Sequence, residues 1–377
     1  MSQHRVVQII QGVHNASAGP TYSVARLATE LHLRGSDCQV STMGAPPQDW
    51  QWPVCLIRHD GQLTRLTGAS LAQWLQLRSA SSTPCILHGH GVWRGANLFP
   101  LWLPRLHPSK VVISPRGMLS EWSMQHKRWR KQPFWLTLQR PALNRAHAFH
   151  ATAEIEFEDI RRLGFRQPVA IIPNGVDMPV VEDVVKSRRL VFMSRIDPKK
   201  GLEMLISIWA RLAPEFNDWE LVIAGPLGDS YATGIQQRGA DSGAPRLHFA
   251  GRVAGETKRR LLAGAGVFVL PTYSENFGLA IAEALAHGTA VVTTTGTPWR
   301  GLDARNAGWC VEPLEAPIED ALRQAMTKPL TELVAMGLQG RQWMADGYSW
   351  VSVGEQMSAT YRWLLDGGVR PDFVRID

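Results

Sequence analysis

Cysteine is scarce in this 377-residue chain, and the four present, Cys38, Cys55, Cys85 and Cys310, share none of the paired spacing of a zinc site or a disulfide scaffold. No secretory signal precedes them, so they read as reduced thiols in a cytoplasm. Long apolar runs are missing as well. The most hydrophobic stretches, such as Val267 to Leu270, are strand-length, well short of the roughly 20 residues that cross a bilayer. Charge is modest: 19% of residues are charged against 45% hydrophobic, which excludes the composition of disorder. The net charge of +7 suits nucleotide phosphates or an anionic membrane surface, or nothing specific, and no nucleic-acid module accompanies it.

At this length a single hydrophobic core stops growing, so two domains with a cleft between them are expected. The first half opens with the β-branched run Val6 to Ile10, a small-residue loop from Gly12 to Pro20, and an apolar-periodic segment ending at Gly35. That order reads strand, loop, helix. Further strands are expected at Cys38–Thr42, Cys85–Leu87 and Val111–Ile113, and the alternation predicts a parallel sheet. The second half repeats the rhythm with strands at Leu190–Met193, Glu220–Ala224, Leu247–Ala250, Val267–Leu270 and Ala290–Thr294. Helices are expected between them at Leu202–Leu212, Gly255–Ala263 and Leu279–Ala286. The polar stretch Pro179 to Arg189 reads as the linker. Helical patterns at Leu330–Met344 and Val353–Leu365 are expected to pack across the domain junction, and the tail after Gly367 to be loose.

The strongest local signal is Pro271 to Leu285, where a buried strand ends, a short loop turns on Gly278 and a helix starts. Free backbone N–H groups then face the crevice at the sheet's carboxyl edge, a favourable place for phosphate. Glu275 in the loop and Glu283 in the helix flank that start with seven residues between them. Carboxylates accept paired hydrogen bonds from a diol, so Glu283 suits a ribose and Glu275 sugar hydroxyls; solvated helix-capping acids are the bland alternative.

This stretch resembles the signature of glycosyltransferase family 4, retaining enzymes of the two-domain GT-B architecture, in which two glutamates frame Phe277-Gly278. Ser194 to Gly201 resembles the family's loop after the first strand of the second domain, with Arg195 and Lys200 at the positions that meet the donor diphosphate. Ile172 to Asp177 and Ala151 to Glu154 extend the resemblance. Read alone, Asn174-Gly175 is a turn as readily as a lining of the cleft. Ser17-Ala18-Gly19-Pro20 matches the small-residue loop of the first domain, with Ala18-Gly19 where many members carry two glycines. His90, followed by Gly91-Val92-Trp93, resembles the family's histidine near the transferred sugar. His88 and His90, two apart on an extended segment, would point the same way, but no third metal ligand declares itself. Ser114 to Leu119 resembles a segment of members that build surface polysaccharides; its Arg116 reads either as a contact to acceptor or donor phosphate or as a structural ion-pair partner.

The resemblance implies an α/β fold of two Rossmann-like domains, with parallel sheets facing a cleft and C-terminal helices crossing the junction. The expected boundaries are 1–178 for acceptor binding, 179–350 for the donor nucleotide, and 351–377 for a crossover helix and tail. It implies transfer of a sugar from a nucleoside-diphosphate sugar, a substrate and not a cofactor, to an acceptor hydroxyl with retention and no bound metal. His90, Arg195, Lys200 and Glu275 would be catalytic. Gly19, Arg195, Lys200, Asn276, Phe277, Gly278, Leu279 and Glu283 would hold the donor, and Arg116 and Asn174 the acceptor. An epimerase or phosphorylase on the same fold, or a non-catalytic carbohydrate- or lipid-surface binding protein, are the rival readings.

One run fits none of these roles. Glu121 to Trp135 is basic and aromatic, with Trp122, Trp129 and Trp135 in it and Trp102 nearby. It suits either a lipid headgroup surface or a solvated helix with tryptophans packed inward. With the Pro115 to Met118 segment its resemblance to the family implies a lipid-linked glycan as acceptor at the inner face of the cytoplasmic membrane, in O-antigen, lipopolysaccharide or exopolysaccharide assembly. The sugar and base stay open.

Overall fold

The computed structural model describes residues 4–12, 19–43, 55–59, 85–93, 98, 101, 109–126, 128–180 and 184–377. It divides into two compact units, Met1–Gly175 with Trp350–Asp377, and Val176–Ser349.

The first unit begins with β1 (Arg5–Ile10), α1 (Gly19–Leu33), β2 (Asp37–Met43), β3 (Cys55–His59), β4 (Cys85–His90) and β5 (Ser109–Ser114). Two short helices, α2 (Glu121–Gln125) and α3 (Arg128–Phe134), run into a π-helical turn at Trp135–Gln139 and then α4 (Arg140–Leu143). β6 (Ala148–Ala151), α5 (Glu154–Arg162) and β7 (Val169–Ile171) follow. The strands lie in the order β7-β6-β5-β4-β1-β2-β3, and the pairs are parallel. The chain winds outward from β1 and then restarts on its other side at β4. Ligands of open parallel sheets bind at such a reversal, outside the carboxyl ends of the strands.

Period-two alternation splits this unit's core between the two faces of the sheet. Val7, Ile9, Leu87, Val111, Ile113 and Phe149 share one cluster, while Val6, Ile10, Ile86, Val112 and Ala170 share another with Val24, Leu27 and Leu31 of α1. On the second face the apolar residues give way to polar ones towards the carboxyl ends of β4 and β5, Ile86 to His88 and His90 and Val112 to Ser114, and Gln8 interrupts β1 between Val6 and Ile10. That change marks where the core stops and chemistry can begin.

In the second unit β8 (Ser187–Met193) starts inside the stretch expected as a linker, because its first residues pair with β11 and with β9. There follow α6 (Leu202–Leu212), β9 (Glu220–Ala224), α7 (Ser230–Asp241), β10 (Leu247–Gly251), α8 (Gly255–Ala263), β11 (Ala265–Leu270), α9 (Leu279–Ala286), β12 (Ala290–Thr294), β13 (Gly308–Val311), α10 (Glu315–Thr327) and α11 (Leu330–Gly347). The six strands lie in the order β10-β9-β8-β11-β12-β13, all parallel, with the reversal between β8 and β11. There β11 and the Leu190–Met193 end of β8 are apolar and buried, as strands covered on both faces must be.

After Ser349 the chain re-enters the first unit as α12 (Trp350–Asp366), whose Val353, Met357 and Tyr361 pack on the α1 face of its sheet. The tail is not loose. β14 (Val374–Arg375) pairs antiparallel with β7, and Arg375 reaches Glu154 at 2.6 Å. Val374 is buried, and the backbone pairing holds a chain end that was expected to fray.

Candidate active site

In the second unit the loops after β8 and β11 leave the sheet side by side at the reversal. Asp197 caps the short 3-10 turn Pro198–Lys200 through Lys199 N at 3.1 Å, which brings Lys199 O to accept from Tyr273 N at 2.8 Å and Thr272 Oγ1 at 3.0 Å. Gly201, at φ +70°, closes this turn; a Cβ there would overlap the Pro271 carbonyl, so the two loops touch only because the position is glycine. The consequence is an ion pair between Lys200 Nζ and Glu275 Oε1, with 7% and 13% of the two side chains exposed. Two residues expected from sequence to serve one ligand are therefore bound to each other. Arg195 stands outside that pair, exposed, and makes no ion pair among the described residues.

Gly278, at φ +77°, caps the start of α9. A left-handed cap costs glycine little, and the helix that follows leaves its first N–H groups without intrahelical acceptors. Phe277 is buried, its ring against Trp299 and Tyr348, and its carbonyl accepts from Trp299 Nε1 at 2.5 Å. What Phe277 offers a ligand is backbone; its side chain is an anchor for the loop that also carries Asn276 and Leu279. Glu283, one turn into α9, is held by Lys258 Nζ of α8 at 2.6 Å. Both expected carboxylates thus face a lysine contributed by another loop or helix.

The first unit collects a second set of polar residues at its own reversal. Gln8 of β1, His88 and His90 of β4, Ser114 of β5, His150 of β6 and Tyr361 of α12 are all buried. His90 lies 2.6 Å through Nε2 from Gln8 Oε1 and 3.0 Å through Nδ1 from Arg116 Nη2. His88 lies 2.6 Å through Nδ1 from the Tyr361 hydroxyl and 2.8 Å through Nε2 from Ser114 Oγ. All four ring nitrogens are therefore engaged by hydrogen-bond partners, and the described residues hold no cluster of three or more metal-ligating side chains. Burial holds His88 and His90 well below the usual histidine range and pushes His150 down to about 3.

Arg116 has its backbone at φ +57°, a conformation few side chains adopt, and the fold over-determines it. Glu156, buried, accepts from Gly117 N at 2.7 Å and from Thr152 N at 2.8 Å, stapling the loop. The guanidinium donates from Nη1 to Asn174 Oδ1 at 2.6 Å, and its Nε is buried without a partner. It forms no ion pair among the described residues, so of its two sequence readings the structural ion pair does not hold. Burial lowers it to about 10, which leaves it charged at neutral pH. Asn174 is drawn into this group, while the neighbouring Gly175 lies against the Trp350 ring with no room for a Cβ.

Gly19 opens α1 with nothing within 4 Å of where a Cβ would stand. Ser17 and Ala18 of that loop, Trp102 and Lys127 lie outside the described residues. The basic aromatic run divides. Trp135 is buried against Phe165 and Trp93, whereas Trp122 is 57% and Trp129 73% exposed, with Leu136 and Leu138 also exposed on the following turn.

Sequence reasoning missed Gln8, Ser114, His150, Glu156, Lys258, Trp299 and Tyr361. Ser114 and Trp299 follow or end strands at the carboxyl edge, which was a usable signal. Lys258 and Tyr361 sit on helices distant in sequence and gave none.

Comparison with known proteins bears on both units. The family described as glycosyl transferases group 1 matches residues 187–331, and the glycosyl transferase 4-like domain matches residues 18–175. A phosphatidyl-myo-inositol mannosyltransferase of Mycolicibacterium smegmatis is 29% identical over 215 residues, covering 53% of this chain and 53% of that protein. The chain thus spans about half the length of the curated relatives it matches. Among solved structures, sucrose-phosphate synthase from Thermosynechococcus elongatus superposes with a TM-score of 0.76 at 18% identity, covering 97% of this chain and 100% of that one. An Anabaena protein in complex with UDP and glucose gives 0.74 at 17% identity, with 95% and 99% covered.

Proposed function

The chain belongs to the group 1 glycosyl transferases, of the family 4 type on the GT-B fold, and from that premise we propose that it moves a sugar from a nucleoside-diphosphate sugar to a hydroxyl of a lipid-linked glycan, with retention at the anomeric carbon. The observation that carries this reading is the second unit's reversal point, where an open helix start at Gly278 lies between Glu283 and the Lys200–Glu275 pair. The N–H groups of Asn276 to Leu279 receive phosphate, Glu283 takes the ribose diol, and Glu275 the sugar hydroxyls. Arg195 and Lys200 stabilise the charge that develops on the departing diphosphate, a role that two neighbouring cations fill without a metal. Gly19 leaves room for donor phosphate or sugar beside α1. No side chain is assigned as a nucleophile; the departing diphosphate removes the acceptor proton on the same face.

The first unit takes the acceptor, with Arg116 and Asn174 as its contacts and His90 behind them. Support for a lipid-linked acceptor comes from the relative named for phosphatidyl-myo-inositol and from the exposed Trp122 and Trp129 among basic residues. No helix among the described residues is long and apolar enough to cross a membrane, so contact with lipid on this reading is peripheral. Surface-polysaccharide assembly at the inner face of the cytoplasmic membrane is the setting we infer.

Calorimetric titration with UDP-, GDP-, ADP- and dTDP-sugars, with and without EDTA and beside Glu283→Ala, tests the donor site. One nucleotide class binding regardless of EDTA, and lost in the variant, is expected. Binding of none of the four would remove the enzyme reading and leave a carbohydrate-binding protein.

A further inference from the structure

A single line of hydrogen bonds runs through the first unit from Arg116 to the carbonyl of Ile172. Arg116 Nη2 meets His90 Nδ1, His90 Nε2 meets Gln8 Oε1, and Gln8 Nε2 meets the Tyr361 hydroxyl at 3.1 Å. That hydroxyl meets His88 Nδ1, His88 Nε2 meets Ser114 Oγ, and Ser114 Oγ meets His150 Nδ1 at 2.6 Å. His150 Nε2 ends the line on Ile172 O at 2.8 Å.

The two ends are chemically one-way. A guanidinium can only donate and a carbonyl can only accept. Starting from Arg116, His90 Nδ1 must be bare, so the ring's proton is on Nε2 and is given to Gln8 Oε1. The Gln8 amide then donates to Tyr361, whose own proton goes to His88 Nδ1. His88 donates from Nε2 to Ser114, Ser114 to His150 Nδ1, and His150 from Nε2 to Ile172. Every member gives one proton and takes one, and the direction agrees at both ends. A protonated His90 would set donor against donor at Arg116, and a protonated His88 or His150 would leave the Tyr361 or Ser114 hydroxyl proton without its acceptor in the line.

His90 has no ring nitrogen left for a ligand; what it does is hold the guanidinium. We propose that Tyr361 is a positioning residue for Arg116, its hydroxyl accepting from Gln8 Nε2 and so holding the amide in the orientation that keeps His90 Nδ1 an acceptor. Without the hydroxyl, that orientation leaves the buried amide short of its hydroxyl acceptor, and Arg116 alone sets the tautomer of His90. Whenever the guanidinium swings away, the amide is then free to turn its N–H₂ to His90 Nε2; the ring's proton moves to Nδ1, meets the donors of Arg116 and bars their return. The importance of its position for turnover rests on the reading that Arg116 contacts the acceptor.

The test uses the full chain labelled with ¹⁵N at histidine, where long-range proton–nitrogen spectra separate bare from protonated ring nitrogens. The parent is expected to show His88, His90 and His150 all protonated at Nε2. Tyr361→Phe keeps the ring's packing and should give His90 a mixture of tautomers. Ser114→Ala cuts the line beyond His88 and should leave His90 as in the parent. In Tyr361→Phe, kcat for consumption of the sugar nucleotide found by titration should fall about tenfold, the scale of one buried amide left unpaired, with KM for that donor unchanged because the second unit holds it. A parent His90 protonated at Nδ1, or an unaltered His90 in Tyr361→Phe, overturns the proposal. A parent that consumes no sugar nucleotide overturns the proposed function instead, and the tautomer comparison still decides the role of Tyr361.

Discussion

Lys258 Nζ on α8 lies 2.6 Å from Glu283 Oε1 on α9, so the carboxylate assigned to the ribose reaches its ligand already oriented by a cation from the neighbouring helix. Hydrogen bonds to charged groups contribute about 1.5–3 kcal/mol. Glu283→Gln should weaken nucleotide binding by roughly one to two orders of magnitude. Lys258→Met, which leaves the carboxylate but frees its rotamer, should cost about tenfold. Titration calorimetry reads both, and parent-like affinity in Lys258→Met would mean the lysine only shields the carboxylate.

The Lys200–Glu275 pair is nearly closed to solvent, and removing one member strands a charge. Lys200→Ala should destabilise the second unit by about 3–5 kcal/mol, whereas Lys200→Met combined with Glu275→Leu should recover most of the loss. For a unit of this size that is a fall in Tm of roughly 10 °C for the single variant. Calorimetric scans of both proteins decide it; equal Tm values would show that water already reaches the pair. Donor binding should be lost in both, which separates the stabilising role from the functional one.

Much of the second unit is legible in the sequence because its central strands are built on apolar runs and three of its helices, at Leu202, Gly255 and Leu279, start on or directly after glycine. The runs Glu220 to Ala224 and Ala290 to Thr294 are strands at those residues, and Leu202 to Leu212 and Leu279 to Ala286 are helices with those ends. What escaped is short or mixed. β6 and β13 are four residues each, Ala-Phe-His-Ala and Gly-Trp-Cys-Val, too brief for a period to declare itself. α7 carries two glycines and few apolar residues, so neither propensity nor pattern marks it. At the site, Glu275, Gly278 and Glu283 were visible as a motif, but their lysine partners depend on how helices and loops pack. His90 was visible as a loop histidine, and the line behind it was not, because it joins four strands and a helix that lies 271 positions further along the chain.

Acid should loosen the first unit through its histidines. Burial among Arg116, Tyr361, Ser114 and Gln8 keeps His88, His90 and His150 neutral in the folded state, with His150 down at about 3. Unfolded, each takes up a proton near pH 6.5. The unfolded chain therefore binds more protons below that pH, and stability falls as pH falls. The contribution is complete above about pH 6.5 and is lost progressively below it, down to about pH 3 for His150, at up to roughly 1.4 kcal/mol per pH unit for each histidine. Urea unfolding followed at pH 7.5 and pH 5 should show the loss, and His150→Asn should flatten it. An unchanged slope in that variant would place the proton uptake elsewhere.

Trp122, stacked on His126, and Trp129 stand out of the first unit in a basic stretch, with Arg130 over the Trp129 ring at 4.7 Å. Two indoles held at the surface by short helices cost exposed apolar area, and neither packs into the core that takes Trp135. Indoles prefer the depth of lipid headgroups, and nearby arginines add about 1 kcal/mol each on an anionic surface. Sedimentation with phosphatidylglycerol vesicles should therefore pull down the parent, with binding that weakens as salt rises through the physiological range. Trp122→Ala with Trp129→Ala should lower the partition coefficient at every salt concentration, because the apolar part is unscreened. Arg128→Gln with Arg130→Gln should instead remove the salt dependence. If all three proteins stay in the supernatant, the surface serves something other than a bilayer, and the acceptor must be reached without one.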